Sequence, residues 1–264
     1  MAIVQPFAVA PALIGPVTSG NELANRPASH LGYLDYIGMV WRSSGPSNLW
    51  ARGQFFAQET IDFVALVNAT ALPGTTIRVR LGTSQAEVDG TAPYDSGALP
   101  FISPSIGRDD GLYHSHLELG SAVNATWWRI DIGGHTGDFE ASGLVMGKKL
   151  QPARFYDTAF EHGFKDLGAL TIAPGGVVSE TPGVGLRTLA MTFSWMTEAE
   201  FYEKFAPMVR SLLLRGLSYW CFDPAATAYR QDKSYLGYFT KEPFARGRQK
   251  PGTFGMEFNL LSLI

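Results

Sequence analysis

The sequence has little of what disulfide-stabilised, metal-binding or membrane-spanning proteins contain. Its single cysteine, Cys221, excludes an intramolecular disulfide and a zinc or iron–sulfur site built from several cysteines. No apolar run approaches the roughly 18 residues that a membrane-spanning helix needs. Charged residues make up only 17% of the chain and the formal net charge is −3, so the composition does not predict a nucleic-acid-binding or anionic-membrane-binding surface.

The sequence also lacks recognisable catalytic motifs. It has no G-x-S-x-G, G-x-x-x-x-G-K-[ST], G-x-G-x-x-G or H-E-x-x-H pattern. His114 and His116 would share a face of a strand and, with Asp109, Asp110 or His135, could complete a zinc site. The same two histidines could equally face solvent on an edge strand. We therefore predict that the chain is not an enzyme and holds no metal or cofactor.

The N-terminal segment lacks the features of a signal peptide. It carries no Lys or Arg before Arg26, and Pro6, Pro11 and Pro16 interrupt its apolar stretch. Regularly spaced prolines disfavour a helix. We expect residues 1–27 to form an extended apolar arm that docks on the body of the protein or on a neighbour.

A chain of 264 residues is longer than most single hydrophobic cores support, which favours two domains. Residues 28–150 contain several short segments with alternating apolar residues, including 76–81 and the run in which Trp128, Ile130 and Ile132 share one face. No convincing helix interrupts them. This pattern predicts an antiparallel β-sandwich or jelly roll.

Four segments of this region, ETIDFVALVNATALPGTTIRVRLGT, TAPYDSGALP, NATWWRIDIGG and DFEASGLVMGK, occur in an order that resembles the galactose-binding-like jelly-roll modules of phage virion proteins and extracellular enzymes. The resemblance implies either a structural role or sugar binding by loops at one end of the sandwich. Because aromatic faces pack on sugar C–H groups, Trp127, Tyr94 and Tyr113 are the candidate sugar-binding residues. Trp127 could instead pack against the second domain.

Residues 151–264 have a different pattern, which predicts strands on both sides of one helix. The strand before the helix predicts Leu189, Met191, Phe193 and Trp195 on one face. The helix is predicted over 198–215 because Thr197 and Glu200 form a capping box and apolar residues recur at three- and four-residue spacing.

Two residues shape this predicted helix. Pro207 removes an amide donor and should kink or split it. Gly216 should supply a left-handed C-terminal stop.

The segments RFYDTAFEHGFKDLGAL, RTLAMTFSWMTEAEF and GYFTKEPFARGRQKPGTFGMEFNLLSL resemble the ring-forming domain of tailed-phage distal tail and tail-tube proteins. The resemblance implies a mainly β protein whose C-terminal β-sandwich carries one flanking α-helix. It also implies a structural virion protein of the tail tip, made in the host cytoplasm, that forms a hexameric ring joining the tail tube to the hub or baseplate. Its partners would be copies of itself and the tail-tube, hub and tape-measure proteins. An N-terminal jelly-roll module departs from the usual arrangement, in which the extra module lies after or within the ring domain.

Two groups of residues are candidates for contacts within such a ring. The apolar residues that lie beside or behind the core-facing stripe of the helix are candidates for the subunit interface: Tyr202, Leu213 and Leu214. The basic hairpin residues could line the lumen, contact passing DNA transiently or clasp a neighbour, or they could belong to a solvated turn: Arg246, Arg248 and Lys250. The alternative function for the whole chain is a carbohydrate-binding module protein that assists host-surface attachment.

Overall fold

The computed structural model describes residues 4–36, 38–247 and 251–264. It confirms the predicted fold class, because the chain is mainly β and its paired strands are antiparallel. The chain divides into two compact units. The jelly-roll unit comprises Val9–Lys149 and Ala225–Asp232, and the C-terminal unit comprises the residues up to Ala8, Leu150–Pro224 and Lys233–Ile264. The predicted domain boundaries, 1–27, 28–150 and 151–264, stay predictions.

The strands are, in chain order, β1 (Phe7–Val9), β2 (Ile14–Ser19), β3 (Trp41–Arg42), β4 (Trp50–Val67), β5 (Thr76–Gly82), β6 (Tyr94–Asp95), β7 (Leu99–Pro100), β8 (Leu117–Gly133), β9 (Glu140–Ala141), β10 (Gly143–Gly147), β11 (Lys149–Leu150), β12 (Glu161–Asp166), β13 (Ala169–Ile172), β14 (Val178–Thr181), β15 (Gly185–Thr197), β16 (Ser218–Cys221), β17 (Ser234–Phe239), β18 (Ala245–Gly247) and β19 (Thr253–Ser262). The helices are a 3₁₀-helix (Ala28–Gly32), α1 (Gln85–Asp89), α2 (Glu198–Glu200), a π-helical segment (Phe201–Phe205) and α3 (Ala206–Leu212). No helix among the described residues is long and apolar enough to cross a membrane.

The jelly-roll unit contains a seven-stranded sheet with the order β10-β4-β8-β5-β6, in which β2 also pairs with β4 and β7 with β5. Strands β3 and β9 form a separate two-stranded sheet. The predicted inner face of β8 is confirmed, since Trp128 and Ile130 are fully buried and Ile132 is 6% exposed. These side chains belong to one core cluster with Trp41 of β3 and Phe139, whose rings meet edge to face at 5.7 Å.

Residues 225–232 extend the jelly-roll unit from the loop between β16 and β17. The Gln231 side-chain oxygen accepts a hydrogen bond from the His114 amide at 3.0 Å, and the Arg230 guanidinium donates to the Ser103 carbonyl. Arg108 pairs with Asp232 at 2.7 Å. These polar contacts fix the segment on the unit.

The C-terminal unit is built on an eight-stranded sheet with the order β11-β1-β16-β17-β19-β15-β12, with β18 paired to β19. Its core is aromatic. The ring of Trp220 lies 4.7 Å from that of Phe258, and Phe193 and Phe205 pack around the same pair. Met208 of α3 is also buried, so Phe205 and Met208 of the predicted apolar stripe face the core, whereas its other residues are half-buried.

The predicted helix over 198–215 is shorter and less regular than expected. The capping box is present, with the Thr197 hydroxyl accepting from the Glu200 amide at 3.2 Å and the Glu200 carboxylate accepting from the Thr197 amide at 2.9 Å. A π-helical segment precedes Pro207 because the missing proline amide leaves the preceding turn free to widen. The helix ends at Leu212, one residue before the positive φ of 50° at Leu213, so the prediction that Gly216 is the left-handed stop is wrong.

The predicted face of β15 holds for three residues and fails for the fourth. Leu189, Met191 and Phe193 are buried, whereas Trp195 is 50% exposed and Met196 is buried in its place. The register against β19 shifts between Phe193 and Met196. A bulge adds one residue to a strand and reverses the side-chain alternation beyond it, which explains why Trp195 points away from the core.

Candidate interaction surfaces

A hairpin that leaves the main sheet forms an exposed apolar surface in the C-terminal unit. Strands β13 and β14 pair only with each other among the described residues, and we call residues 169–181 the hairpin arm. Gly168 and Gly183 approach so closely at its base that neither position has room for a Cβ. At its tip, Gly176 adopts a φ of +81°, which favours glycine. The sequence therefore encodes both ends of the arm with glycine.

The register of the arm divides its side chains into two faces. Leu170 lies opposite Glu180, and Ile172 lies opposite Val178. Because directly opposed residues share a face, these four side chains form one face, which is apolar except for Glu180. The other face carries small side chains, listed here: Ala169, Thr171, Ser179 and Thr181. The arm is thus an amphipathic hairpin.

No described residue of this chain covers the apolar face of the arm. Leu170, Ile172 and Val178 are 64%, 66% and 59% exposed, respectively. Phe164 on β12 and Val184 beside β15 are also exposed at 81% and 62%. A two-stranded hairpin is marginally stable in water by itself, and contiguous exposed apolar surface marks an interaction site.

A groove lies beside the end of α3 in the same unit. It has a volume of about 440 Å³, and its lining residues are Val209, Leu213, Leu214, Arg215, Glu242 and Pro243. Leu213 and Leu214, two of the predicted ring-interface residues, are 50% and 38% exposed. We call it the helix-end groove. Tyr202, the third predicted interface residue, is 59% exposed but contacts the rings of Phe201 and Phe254 and does not line this groove.

A second groove of about 660 Å³ lies against β15 and is more polar. It is lined by Phe155, Tyr156, Asp157, Thr158, Ala159, Ser194 and Trp195. The Asp157 carboxylate accepts a hydrogen bond from the Ser194 hydroxyl. The Arg154 guanidinium lies 5.8 Å from the centre of the Trp195 ring. We call it the aromatic groove.

The predicted basic hairpin is described only in part. Arg246 lies on β18 opposite Gly255, with its guanidinium 4.5 Å from the centre of the Phe244 ring. Arg248 and Lys250 lie outside the described residues. The role of this segment as a lumen-lining or clasping loop stays a prediction.

The outer face of the jelly-roll sheet carries an ordered set of charged residues. Arg52 lies opposite Arg129, and Arg129 lies opposite Arg80, so three neighbouring strands place their guanidinium groups side by side. Asp131 and Asp89 separate these charges: Arg80 and Arg129 both bond Asp131, at 2.7 and 2.8 Å, and Arg129 bonds Asp89 at 2.7 Å. Arginines in close register are tolerated here because carboxylates lie between them.

The same face continues to β6, where Arg78 pairs with Asp95. The side-chain hydrogen bond from Arg78 lowers the pKa of Asp95 from 3.8 to about 2. The guanidinium carbons of Arg129 and Arg52 lie 4.6 and 5.3 Å from the centre of the Trp50 ring. Ion pairs and cation–π contacts thus engage these arginines within the unit.

The structure does not bring the three predicted sugar-binding residues together. Trp127 is half-buried on the outer face, opposite Gln54 and Gly82. Tyr94 lies opposite Leu81, which lies opposite the buried Trp128, so the Tyr94 ring is on the inner face. Tyr113 is 9% exposed in the core, and its hydroxyl accepts a hydrogen bond from the Arg108 amide at 3.2 Å. Only Trp127 remains available on the outer face.

The two histidines considered for zinc binding have separate partners. The His114 Nδ1 atom accepts from the Asn68 amide at 3.0 Å, and the His116 Nε2 atom lies 3.1 Å from a Glu118 carboxylate oxygen. Within the described parts of the chain, no group of three or more His, Cys, Asp or Glu side chains could hold a metal ion.

Sequence reasoning did not single out the arm residues Leu170, Ile172, Val178 and Glu180. The pattern that could have identified them is the alternation of apolar side chains with Thr171, Ser179 and Thr181 on either side of the Pro-Gly-Gly turn. The sequence pattern also does not predict that Arg52, Arg80 and Arg129 lie side by side, because they belong to three strands that are distant in sequence.

Comparison with known proteins gives structural similarities at low identity. Neither a protein-family model nor a curated protein matches the sequence. A fucose-binding module from Streptococcus pneumoniae has 12% identity and a TM-score of 0.37, covering 55% of this chain and 95% of its own. A family 32 carbohydrate-binding module from C. perfringens, in complex with galactose, has 12% identity and a TM-score of 0.38, covering 53% and 98%. The N-terminal domain of the single-strand break repair protein XRCC1 has 17% identity and a TM-score of 0.40, covering 53% and 99%. TM-scores this low assign neither a family nor a function to the chain.

Proposed function

We propose that this chain is a non-enzymatic structural subunit that assembles with copies of itself through its C-terminal unit. The observation that carries the proposal is the uncovered apolar face of the hairpin arm, formed by Leu170, Ile172 and Val178. Burying a side chain of this kind is worth about 1.5–3 kcal/mol relative to leaving it exposed. An arm with one apolar and one small-polar face gains stability when a partner covers the apolar face.

Strand β12 supports the same proposal. It is the last strand on its side of the eight-stranded sheet, and nearly all its residues are exposed. An uncovered sheet edge presents backbone groups that can pair with another chain. An arm that projects from one subunit onto a different surface of the next makes a head-to-tail contact, and contacts of this kind close into rings when the rotation allows.

The setting that we propose is the tip of a phage tail. There a hexameric ring would join the tail tube to the hub or baseplate, with the tape-measure protein as a further partner and the virion as the location. This setting comes from the resemblance of the sequence to distal tail and tail-tube proteins. The exposed arm supports the part of the proposal that concerns self-assembly.

Self-assembly is tested by placing charge on either face of the arm. The double variant Leu170→Glu/Ile172→Glu is expected to weaken self-association about tenfold or more, because each carboxylate would have to be desolvated on assembly. The control Ala169→Glu/Thr171→Glu adds the same charge to the opposite face, at two alternate positions of the same strand, and is expected to assemble like the unmodified chain. Analytical ultracentrifugation over a concentration series measures both. An unmodified chain that stays monomeric throughout the series would overturn the proposal.

A second candidate function is carbohydrate binding by the jelly-roll unit, which would assist attachment to a host surface. Trp127 favours it, because this half-buried ring shares the outer face with Arg129 and Asp131, two and four residues further along β8. An aromatic face beside charged hydrogen-bonding groups suits a sugar ring. The names of two of the similar solved structures, modules for fucose and galactose, fit this candidate.

Glycan binding is tested with a glycan array followed by titration of the host surface polysaccharide. We expect Trp127→Ala to weaken binding about tenfold, in line with the roughly 1–3 kcal/mol that stacking of a nucleic-acid base on an aromatic side chain contributes. Trp195→Ala, in the C-terminal unit, is the matched control and should bind normally. Absence of binding by the unmodified chain, or full binding by Trp127→Ala, would remove this candidate.

A further inference from the structure

We infer that the helix-end groove is the receptor for the hairpin arm of a second copy of this chain, an inference that rests on the proposed function and deepens it. The groove and the arm both lie in the C-terminal unit. Leu213 at the groove is 50% exposed and Ile172 on the arm is 66% exposed, so the arm does not cover the groove within one chain. The occupant that the structure offers is therefore the arm of another copy.

The backbone at the groove is held in an uncommon conformation. Leu213 has a φ of 50°, which is unfavourable for a bulky residue. Its amide still donates to the Val209 carbonyl at 2.8 Å, and the Gly216 amide donates to the Leu212 carbonyl at 2.8 Å. This conformation leaves Leu213 and Leu214 side by side at the surface. Strain of this kind is common at binding surfaces, where the surrounding structure maintains it.

The two surfaces match in apolar character, and each offers one charged group that the other can pair with. The arm presents Leu170, Ile172 and Val178 with one carboxylate, Glu180. The groove presents apolar side chains with the exposed Arg215, and Arg210 is exposed on the same helix. Within the described residues neither Glu180 nor Arg215 has an ion-pair partner, so each is available to the other across an interface. Glu242 also lines the groove, so its lining carries one charge of each sign, of which Arg215 is the one that attracts Glu180.

The aromatic groove fits the arm less well. It is lined by the carboxylate of Asp157 and by no described basic residue, whereas the helix-end groove has Arg215 beside Glu242. Like charges placed together at an interface oppose binding. The hydroxyl groups of Thr158 and Ser194 also line this groove, whereas the apolar face of the arm is best covered by an apolar surface.

Charge reversal tests the pairing. We expect Glu180→Arg and Arg215→Glu each to weaken self-association about tenfold, because each places two like charges at the interface. A mixture of these two variants should assemble again, to within roughly threefold of the unmodified chain. In the mixture, the arginine at position 180 of one variant meets the glutamate at position 215 of the other, and the unmodified Glu180 and Arg215 also meet. Arg154→Glu, at the aromatic groove, is the control and should assemble normally.

The outcomes distinguish two claims: that the arm mediates self-assembly, and that the helix-end groove is its receptor. If Leu170→Glu/Ile172→Glu prevents assembly while Arg215→Glu does not, the arm mediates assembly but the helix-end groove is not its receptor. The same conclusion follows if the mixed variants fail to assemble while each variant keeps the circular dichroism spectrum of the unmodified chain. If Arg154→Glu weakens assembly and Arg215→Glu does not, the aromatic groove is the receptor. A chain that never self-associates would overturn both the inference and the proposed function.

Discussion

Replacing Trp220 with alanine is expected to lower the free energy of unfolding of the C-terminal unit by about 3–5 kcal/mol. Trp220 is 1% exposed, and its ring lies within 4.7 to 6.5 Å of the rings of Phe258, Phe239 and Phe193. The substitution removes one of the largest side chains of this core and leaves a cavity that the surrounding rings can fill only in part. The Ser218 hydroxyl, which accepts from the indole N–H at 3.0 Å, would also lose a partner in a buried setting.

Trp195→Ala is the matched control, because it removes the same side chain from a position that is 50% exposed. We expect it to cost less than about 1 kcal/mol. Hydrogen exchange of peptides from β16, β17 and β19 follows the C-terminal unit separately from the jelly-roll unit. Equal loss of protection in the two variants would contradict the arrangement of the core described here.

The contrast between these two tryptophans shows what the sequence pattern could and could not predict. Alternation along β15 correctly places Leu189, Met191 and Phe193 in the core, because a regular strand repeats its side-chain direction every two residues. It fails at Trp195, because a bulge is set by pairing with β19, which lies some 60 residues further along the chain. Local patterns report the period of a strand. They do not report a change of register imposed by a distant partner.

The candidate surfaces also show which features a local sequence pattern predicts and which depend on distant parts of the chain. The surplus of apolar residues on the helix singles out Leu213 and Leu214, and the structure places both at the helix-end groove. The arm was not recognised, because alternation in Leu170 and Ile172 predicts an apolar face without showing whether another layer covers it. Tyr94 is a candidate sugar-binding residue because its aromatic face could pack on sugar C–H groups, but pairing with Leu81 directs its ring inward.

Replacing Glu118 with glutamine is expected to destabilise the jelly-roll unit by about 2 kcal/mol at neutral pH, a value that allows for partial solvent screening. Burial raises the pKa of the Glu118 carboxyl group, but hydrogen bonds from His116 and Lys149 outweigh that effect and lower the pKa from 4.5 to about 2. The Lys149 ammonium group lies 2.6 Å from one carboxylate oxygen, and the His116 Nε2 atom lies 3.1 Å from the other. His116 and Lys149 are only 7% and 18% exposed, so neutralising Glu118 removes a negative charge that lies beside a largely buried ammonium group.

The pH dependence distinguishes this ion pair from simple packing. Because the folded-state pKa lies below the unfolded one, the stabilisation by Glu118 is fully present above pH 4.5 and is lost as the pH falls toward 2. The difference in unfolding free energy between the unmodified chain and Glu118→Gln should therefore shrink over this range, as measured by urea denaturation at successive pH values. Glu59→Gln, on the neighbouring strand β4, is the control, since Glu59 forms no ion pair within the described residues. A Glu118→Gln deficit that stays constant from neutral pH to pH 2 would show that lost packing, rather than the charge of Glu118, accounts for the destabilisation.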